Sequence, residues 1–167
     1  MNEKVKSINT TVLYVILGIV LAFVANQGFA FALSTDMPVV AVESNSMIPT
    51  FQKGDILVLQ GILPEELQVG DIIVFSSPGQ EVPIVHRIIE INSDGTFQTK
   101  GDANARQLSF EKRIESSQIH GKEILIIPYL GWIKIGITEY VIPNIVWVIL
   151  GALLVSFLYL IFKDRRL

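Results

Sequence analysis

The sequence predicts a mainly β domain flanked by two transmembrane helices. Two uncharged apolar runs, 10–33 and 140–162, lie towards opposite ends of the 167-residue chain. Each run is long enough to cross about 30 Å of hydrocarbon as a helix. Between them, residues 34–139 hold short, closely spaced runs rich in Val and Ile, separated by turn residues. Only 17% of the residues are charged, which is less than a soluble domain usually carries.

The charges beside the two apolar runs predict how the chain is oriented in the membrane. Basic residues lie just outside both runs: Lys4, Lys6, Lys163, Arg165 and Arg166. Lys and Arg collect on the cytoplasmic side of a span. We therefore expect a cytoplasmic arm 1–9, a cytoplasmic basic tail 163–167 and an extracytoplasmic domain 34–139, held in the cell membrane by two spans.

The first apolar run has a second interpretation, as a cleavable signal peptide. Ala30-Phe31-Ala32 would then be the small-residue cleavage site. The apolar region of a signal peptide is usually about 7–15 residues, and this run is longer. We therefore favour an uncleaved anchor.

The region between the runs predicts an antiparallel, barrel-like or sandwich domain. Five short segments have the composition or alternation of strands: 39–42, 55–59, 71–75, 84–91 and 96–100. Gly-Asp, Pro-Gly and Asp-Gly pairs mark turns between them. Residues 64–67 are typical of a single helical turn. About 105 residues are enough for one domain with its own core.

Composition excludes several function classes. The chain has no cysteine, so disulfides, a thiolate nucleophile and a zinc–thiolate site are ruled out. The net charge of −3 argues against a nucleic-acid partner, because phosphate binding needs a basic face. We expect no metal and no cofactor.

Three residues in the order Ser, His, Asp predict hydrolase chemistry beside the membrane. Ser46 follows the first apolar run closely, and Pro49 restricts the local turn. His86 has a near-neutral pKa as a free side chain, which suits a general base, although an apolar strand can also hold a structural histidine. Asp102 follows Gly101 at a turn, where it would either orient the imidazole or bond its own backbone.

Two further side chains have predicted positions or roles. The Ser44 hydroxyl could donate to an oxyanion beside the backbone N–H of Ser46. The second histidine, His120, is predicted at the surface, at the start of a strand.

These residues, with the segments around them, resemble the type I signal peptidases. Residues 44–50 with Gly54-Asp55 resemble the nucleophile box, and 70–75 resemble the strand box that follows it. Residues 84–88 are similar to the archaeal and endoplasmic-reticulum branch, in which histidine replaces the lysine base of bacterial enzymes. Three further segments match in family order: 100–104, 121–122 and 127–131.

The resemblance implies a β-rich peptidase domain against the membrane with a shallow cleft for an extended peptide. It implies a serine endopeptidase that removes signal peptides after small residues at −1 and −3. Ser46 would be the nucleophile and His86 the base, with Ser44 and Met47 as oxyanion- and substrate-binding residues. The implied partners are signal-peptide-bearing precursors, the lipid bilayer and the protein-export machinery.

One departure from the family pattern concerns the acid. Relatives of this branch usually carry further aspartates shortly after the Gly-Asp pair, whereas 105–110 contains no acidic residue. Asp102 is the matched carboxylate that remains, and it is the prediction made here. Glu111, Glu115 or a Ser/His dyad are the alternatives.

Two other functions stay open on sequence alone. One is a specialised processing peptidase with a few clients. The other is a catalytically inactive, membrane-anchored assembly module, which the missing aspartates favour and the intact Ser46 and His86 oppose.

Overall fold

A computed structural model describes residues 2–80 and 82–164. A long helix α1 (Asn2–Ala32) leads into a sheet domain, and helices α2 (Trp132–Ile135) and α3 (Ile145–Asp164) follow it. The strands are β1 (Val39–Ala41), β2 (Ile56–Gln60), β3 (Ile72–Phe75), β4 (Ile84–Ile91), β5 (Phe97–Lys100) and β6 (Ile119–Ile127). The helical turn expected at 64–67 is a 3₁₀ turn at Pro64–Glu66.

The β-rich prediction is confirmed, and its five expected strands are all present. The strands form one sheet in the order β1-β2-β6-β3-β4-β5, and every neighbouring pair is antiparallel. β6 lies between β2 and β3, so a long crossover brings the last strand to the centre.

Both faces of the sheet are buried at its centre. All four residues of β3 are buried, and alternate residues of a strand point to opposite faces. Ile72 and Val74 belong to one apolar cluster, whereas Ile73 and Phe75 belong to a second. The first cluster is completed by the segment after β1, and the second by residues from the segment that joins β5 to β6.

The main groove of the domain lies between β1 and the first half of β4. Residues of β1, such as Val40, and of the first half of β4, such as Val85, line the same cavity of about 450 Å³. β1 is an end strand, and β5 pairs with β4 only from Arg87 to Ile91. Among the described residues, the outer edge of Ile84–His86 therefore has no strand partner. The groove therefore lies beside two strand edges that have no strand partner among the described residues.

The two apolar runs differ in the structure. Val12–Ala32 forms a 21-residue apolar helix with a mean hydropathy of 2.1, long enough to cross a membrane. The second run is not one straight helix from 140 to 162, because Trp132–Val141 and Ile145–Ser156 meet at a bend of 87°. Pro143 lies in the break, where its missing N–H and its ring interrupt a helix. Within the described chain, one helix qualifies as a span, or two if the bent pair counts as one.

Some of the predicted terminal features lie outside the described residues. Met1 of the arm and Arg165 and Arg166 of the basic tail are among them.

Candidate active site

Ser46 lies in a loop that the sheet closes at its base. The Val42 N–H donates to the Asp55 carbonyl at 2.9 Å, and the Gly54 N–H donates to the Val42 carbonyl at 2.9 Å. Inside the loop, Met47 and Phe51 are buried in the first apolar cluster. The loop is therefore fixed both at its ends and at its middle, which holds the Ser46 hydroxyl in one place.

His86 lies on β4 opposite Ile73, so both side chains share the face of the second apolar cluster. Its Nε2 is 3.0 Å from the Ser46 Oγ, and its Nδ1 contacts the Oε1 of Glu111. A carboxylate only accepts hydrogen bonds, so the proton lies on Nδ1 and the Nε2 lone pair accepts from Ser46. The three groups form a hydrogen-bonded Ser–His–Glu chain.

Glu111 is fully buried, and its carboxylate accepts hydrogen bonds from three neighbouring groups. It lies on a 3₁₀ turn, Ser109–Lys112, that covers the His86 face of the sheet. Besides the imidazole, Oε2 accepts the Leu108 N–H at 2.6 Å and Oε1 accepts the Thr99 hydroxyl at 3.4 Å. A buried carboxylate without such partners would be very costly. This set of donors fixes the acid against the imidazole.

Asp102 does not occupy the position that the sequence prediction gave it. Its carboxylate accepts a paired contact from Arg87, with Nε to Oδ1 at 2.9 Å and Nη2 to Oδ2 at 2.7 Å. Successive residues of a strand point to opposite faces, so Arg87 leaves the sheet on the side opposite His86. Asp102 lies on the Arg87 side, whereas Gly101 lies against the imidazole. The structure thus brings Glu111, not Asp102, to the Nδ1 of His86.

The Asp102–Arg87 pair supports the loop that carries Ser46. Asp102 also accepts the Thr50 hydroxyl at 2.6 Å, and Arg87 donates to the Gly70 carbonyl at 2.8 Å. The hydrogen bond from Arg87 holds the pKa of Asp102 below its usual value; the Thr50 hydroxyl acts in the same direction and burial opposes it. The same hydrogen bond raises the pKa of Arg87 above its usual value. A charged pair therefore ties the loop to β4.

The other predicted site residues fall into two groups. The Ser44 Oγ is 3.1 Å from the Ser46 Oγ, and Ser44 lines the groove. Met47 differs from its predicted substrate-binding role, because it is 0% exposed and packs in the core. Its sulfur accepts the Asp102 N–H at 3.5 Å, which makes it a support of the loop. Glu115 is exposed and caps the next 3₁₀ turn.

The groove beside Ser46 is mainly apolar. Its walls come from β1, from the start of β4 and from the segment before Glu111, with Val42, Val74, Val82, Leu108 and Phe110 among the lining residues. Charged Glu43 and Lys134 lie on its rim and form a 3.0 Å ion pair. In residues 2–80 and 82–164, no cluster of three or more His, Asp or Glu side chains could hold a metal ion.

The second histidine has a Ser–His–acid arrangement of its own. The His120 Nε2 is 2.8 Å from the Ser76 Oγ, and its Nδ1 is 3.0 Å from an Asp36 oxygen. The predicted surface position is only partly right, because the His120 side chain is 22% exposed. The Thr35 hydroxyl donates to the His120 carbonyl at 2.6 Å. This cluster ties the segment after α1 to β3 and β6.

Glu111, one of the alternatives to Asp102 in the sequence prediction, is the carboxylate that contacts the Nδ1 of His86. A local signal exists: Glu111 follows Leu108 by three residues, the spacing at which a glutamate reaches back to the first N–H of a helical turn. That signal predicts the turn and not the histidine contact. The contact depends on which face of β4 the turn covers.

Comparison with known proteins gives one family. Residues 8–96 match the family model described as "Signal peptidase, peptidase S26". The chain is 34% identical over 123 residues to human "Signal peptidase complex catalytic subunit SEC11C", an alignment covering 68% of this chain and 64% of the relative. "Signal peptidase complex catalytic subunit SEC11" of Pyricularia oryzae is 34% identical over 128 residues, an alignment covering 71% of this chain and 74% of the relative.

A third relative aligns over more of the chain. The sec11 catalytic subunit of Sclerotinia sclerotiorum is 35% identical over 141 residues, covering 79% of this chain and 81% of the relative. Against the mammalian relatives the chain spans slightly less than two thirds of their length.

Proposed function

The chain belongs to the signal peptidase family, peptidase S26, and on that premise we propose that it is a membrane-bound serine endopeptidase that removes signal peptides from exported proteins. The observation that carries the proposal is the Ser46–His86–Glu111 chain beside a mainly apolar groove of about 450 Å³. The proposed site residues are Ser46, His86 and Glu111, with Ser44 at the oxyanion.

The proposed acylation step follows from the directions of the hydrogen bonds that join Ser46, His86 and Glu111. The Ser46 Oγ attacks the scissile carbonyl carbon while the His86 Nε2 takes the hydroxyl proton. The imidazolium that forms is stabilised by the Glu111 carboxylate at Nδ1, in surroundings from which water is excluded. The Ser44 hydroxyl and the Ser46 N–H are the proposed donors to the oxyanion. The C–N bond then breaks, and the leaving amine takes the proton from Nε2.

Deacylation repeats the same steps with water. His86, again neutral, takes a proton from a water molecule that attacks the acyl ester of Ser46. Breaking the ester bond returns the proton to the Ser46 oxygen and releases the signal peptide with a free carboxylate. The cycle needs no metal or cofactor.

Substrate binding is proposed to use the outer edges of β1 and of Ile84–His86, neither of which pairs with a strand among the described residues. An extended peptide between β1 and Ile84–His86 could form backbone hydrogen bonds with either edge. Alternate side chains would enter the apolar groove, with small residues at −1 and −3 as the family resemblance implies. The scissile bond would then lie beside Ser46.

The membrane arrangement is part of the proposal. Val12–Ala32 would span the bilayer and deliver the domain to its outer face, with Ser46 only 14 residues beyond the helix end. The second apolar run would re-enter the membrane, so that both termini are cytoplasmic. A precursor's own apolar signal segment would lie in the same bilayer, which brings its cleavage site to the height of the groove.

The proposal is tested with detergent-solubilised protein and a precursor that carries an Ala-x-Ala site. Wild type should release the signal peptide, whereas Ser46→Ala and His86→Ala should each lose at least about 1,000-fold in rate. Matched controls are Ser76→Ala and His120→Ala, which remove the other Ser–His pair. Both controls should retain cleavage within about threefold, since they do not line the groove at Ser46. Cleavage by Ser46→Ala at the wild-type rate would exclude the mechanism.

A further inference from the structure

Asn104 lines the groove, and its side chain has no part in the Ser46–His86–Glu111 chain. It is half-buried and borders the same groove as Ser46 and His86. Within residues 2–80 and 82–164, no group forms a hydrogen bond with its carboxamide. An amide that faces a reaction groove without a protein partner is available to bind substrate or water.

The turn that carries Asn104 is fixed against the nucleophile loop by its backbone. The Ala103 N–H donates to the Ser46 carbonyl at 2.8 Å, and the Asn104 N–H donates to the Gly101 carbonyl at 3.0 Å. Both bonds use main-chain atoms only. The position of Asn104 beside Ser46 therefore does not depend on its own side chain.

The carboxamide of Asn104 lies close to the general base. The position that a Cβ of Gly101 would take is 2.8 Å from the Asn104 Nδ2 and 2.7 Å from the His86 Nε2. The two nitrogens are therefore no farther apart than two hydrogen bonds laid end to end, because each such bond is roughly 2.8–3.0 Å long. One water molecule can bridge polar atoms up to that separation.

The chemistry of the two nitrogens matches that of a water molecule. Nε2 of neutral His86 accepts an O–H, whereas Nδ2 of Asn104 donates and so binds the water oxygen. In the free enzyme Nε2 accepts the Ser46 hydroxyl at 3.0 Å. In the acyl-enzyme the Ser46 oxygen carries no hydrogen, so Nε2 is free to accept from water. Before cleavage, the scissile nitrogen is an amide N–H and offers Nδ2 no acceptor.

We propose that Asn104 holds the water molecule that hydrolyses the acyl-enzyme. Its Nδ2–H donates to the water oxygen, while one O–H of the water donates to the His86 Nε2. The water oxygen attacks the ester carbonyl carbon, and Nε2 takes the proton. When the ester C–O bond breaks, that proton passes to the Ser46 oxygen, and the signal peptide leaves with a new carboxyl group. The inference rests on the proposed function and adds a catalytic residue to its second half.

The two half-reactions are measured separately on the full-length protein in detergent. A synthetic signal-peptide ester that ends in Ala-x-Ala forms the same acyl-enzyme as the precursor, with an easier leaving group. Acid quenching and intact-mass measurement give the rates at which the acyl-enzyme on Ser46 forms and decays. Asn104→Leu removes the carboxamide at similar volume, and Asn104→Ala removes it without adding apolar bulk. Gln68→Leu is the matched control, because this exposed carboxamide does not line the groove.

Both Asn104 variants should slow the decay of the acyl-enzyme roughly 10- to 100-fold, because the attacking water loses its orientation. Formation of the acyl-enzyme should stay within about threefold of wild type, since no water takes part in that step. Gln68→Leu should match wild type in both steps. A general disturbance of the fold or of the His86 base would slow formation and decay together, so the split between the two rates separates water positioning from a structural role.

Decay at the wild-type rate in the Asn104 variants would overturn the inference, and so would equal slowing of formation and decay. If Asn104→Leu does not fold, Asn104→Ala decides by the same criteria. Either contrary result leaves the proposed function intact as long as wild type forms and hydrolyses the acyl-enzyme. A wild-type protein that neither acylates Ser46 nor cleaves the precursor would instead overturn the proposed function itself.

Discussion

The two Ser–His–acid arrangements of this chain have similar spacings and very different surroundings. The Ser46–His86 and Ser76–His120 contacts are 3.0 and 2.8 Å, and each imidazole meets a carboxylate at Nδ1. The side chains of His86 and Glu111 are 5% and 0% exposed, whereas those of His120 and Asp36 are 22% and 69% exposed. Only the first arrangement, by its Ser46 and His86, lines the apolar groove.

The difference teaches that atomic spacing alone does not make a hydrolytic site. An exposed carboxylate is screened by water, so it contributes little to the stabilisation of an imidazolium. A buried, fully hydrogen-bonded carboxylate keeps its effect and its orientation. The first arrangement therefore has the surroundings that catalysis needs, and the second has those of a structural contact between the end of α1 and the sheet.

The largest expected difference between the two arrangements appears when the carboxylate of each, Glu111 or Asp36, is replaced by its amide. Glu111→Gln keeps the shape of the side chain but cannot stabilise the imidazolium, so we expect precursor cleavage to slow roughly 1,000-fold or more. Asp36→Asn should change the rate by less than about threefold, because its carboxylate is mainly solvated. Glu115→Gln is the matched control for an exposed glutamate nearby in sequence. Steady-state kinetics with one precursor measures all three.

Equal losses in Glu111→Gln and Asp36→Asn would contradict the comparison, because the two arrangements would then act on the reaction alike. Thermal unfolding of each variant separates a catalytic loss from a loss of fold.

The sheet could be predicted from the sequence to a large extent because its signals are local. Runs such as 71–75 and 84–91 are apolar, β-branched and bounded by turns, and both became strands. The bend at Pro143 was harder to predict from the sequence, because a proline near the start of a helix is also compatible with a straight span. The packing of the Trp132 ring on Gly54 has no signal in the local sequence either.

The candidate acid was harder to predict because it depends on which face of a strand each residue occupies. Asp102 lies in a segment that matches the family pattern, but its carboxylate pairs with Arg87. The Arg87 side chain, next in sequence to His86, leaves β4 on the opposite face. Glu111 reaches the imidazole through a turn whose position over the sheet is set by packing of the second apolar cluster. Neither contact can be predicted from the spacing of the residues along the chain.

A smaller effect is expected from crowding the buried arrangement without touching its three residues. A Cβ on Gly101 would lie 2.7 Å from the His86 Nε2 and 2.7 Å from the Ser46 carbonyl oxygen. Gly101→Ala must therefore displace the loop from the imidazole, and we expect kcat/KM to fall roughly 10- to 100-fold. Gly136→Ala is the control, since its Cβ would meet nothing within 4 Å. Similar activity of the two variants would show that the contact between loop and imidazole tolerates displacement.

The smallest effect should come from Asp102→Asn, which loosens the loop and leaves the Ser46–His86–Glu111 chain in place. We expect a loss of roughly 10-fold in kcat/KM, together with about 1–2 kcal/mol of stability at neutral pH from the weakened Arg87 contact. The pKa of Asp102 is lowered in the folded state, first by the Arg87 hydrogen bond. Its contribution is therefore present above the unfolded-state value of about 3.9 and is lost as the pH falls through the folded-state value.

Chemical unfolding of wild type and Asp102→Asn across pH 7 to about pH 3 measures this dependence. The stability difference should be constant near neutrality and should shrink below roughly pH 4, because the wild-type carboxylate becomes protonated and then resembles the amide. Asp36→Asn, whose carboxylate belongs to the exposed arrangement, should show only a small difference throughout. If Asp102→Asn instead abolished cleavage as completely as Glu111→Gln, Asp102 would have to act on the reacting groups themselves. The division between a buried catalytic acid and an acid that supports the loop would then fail.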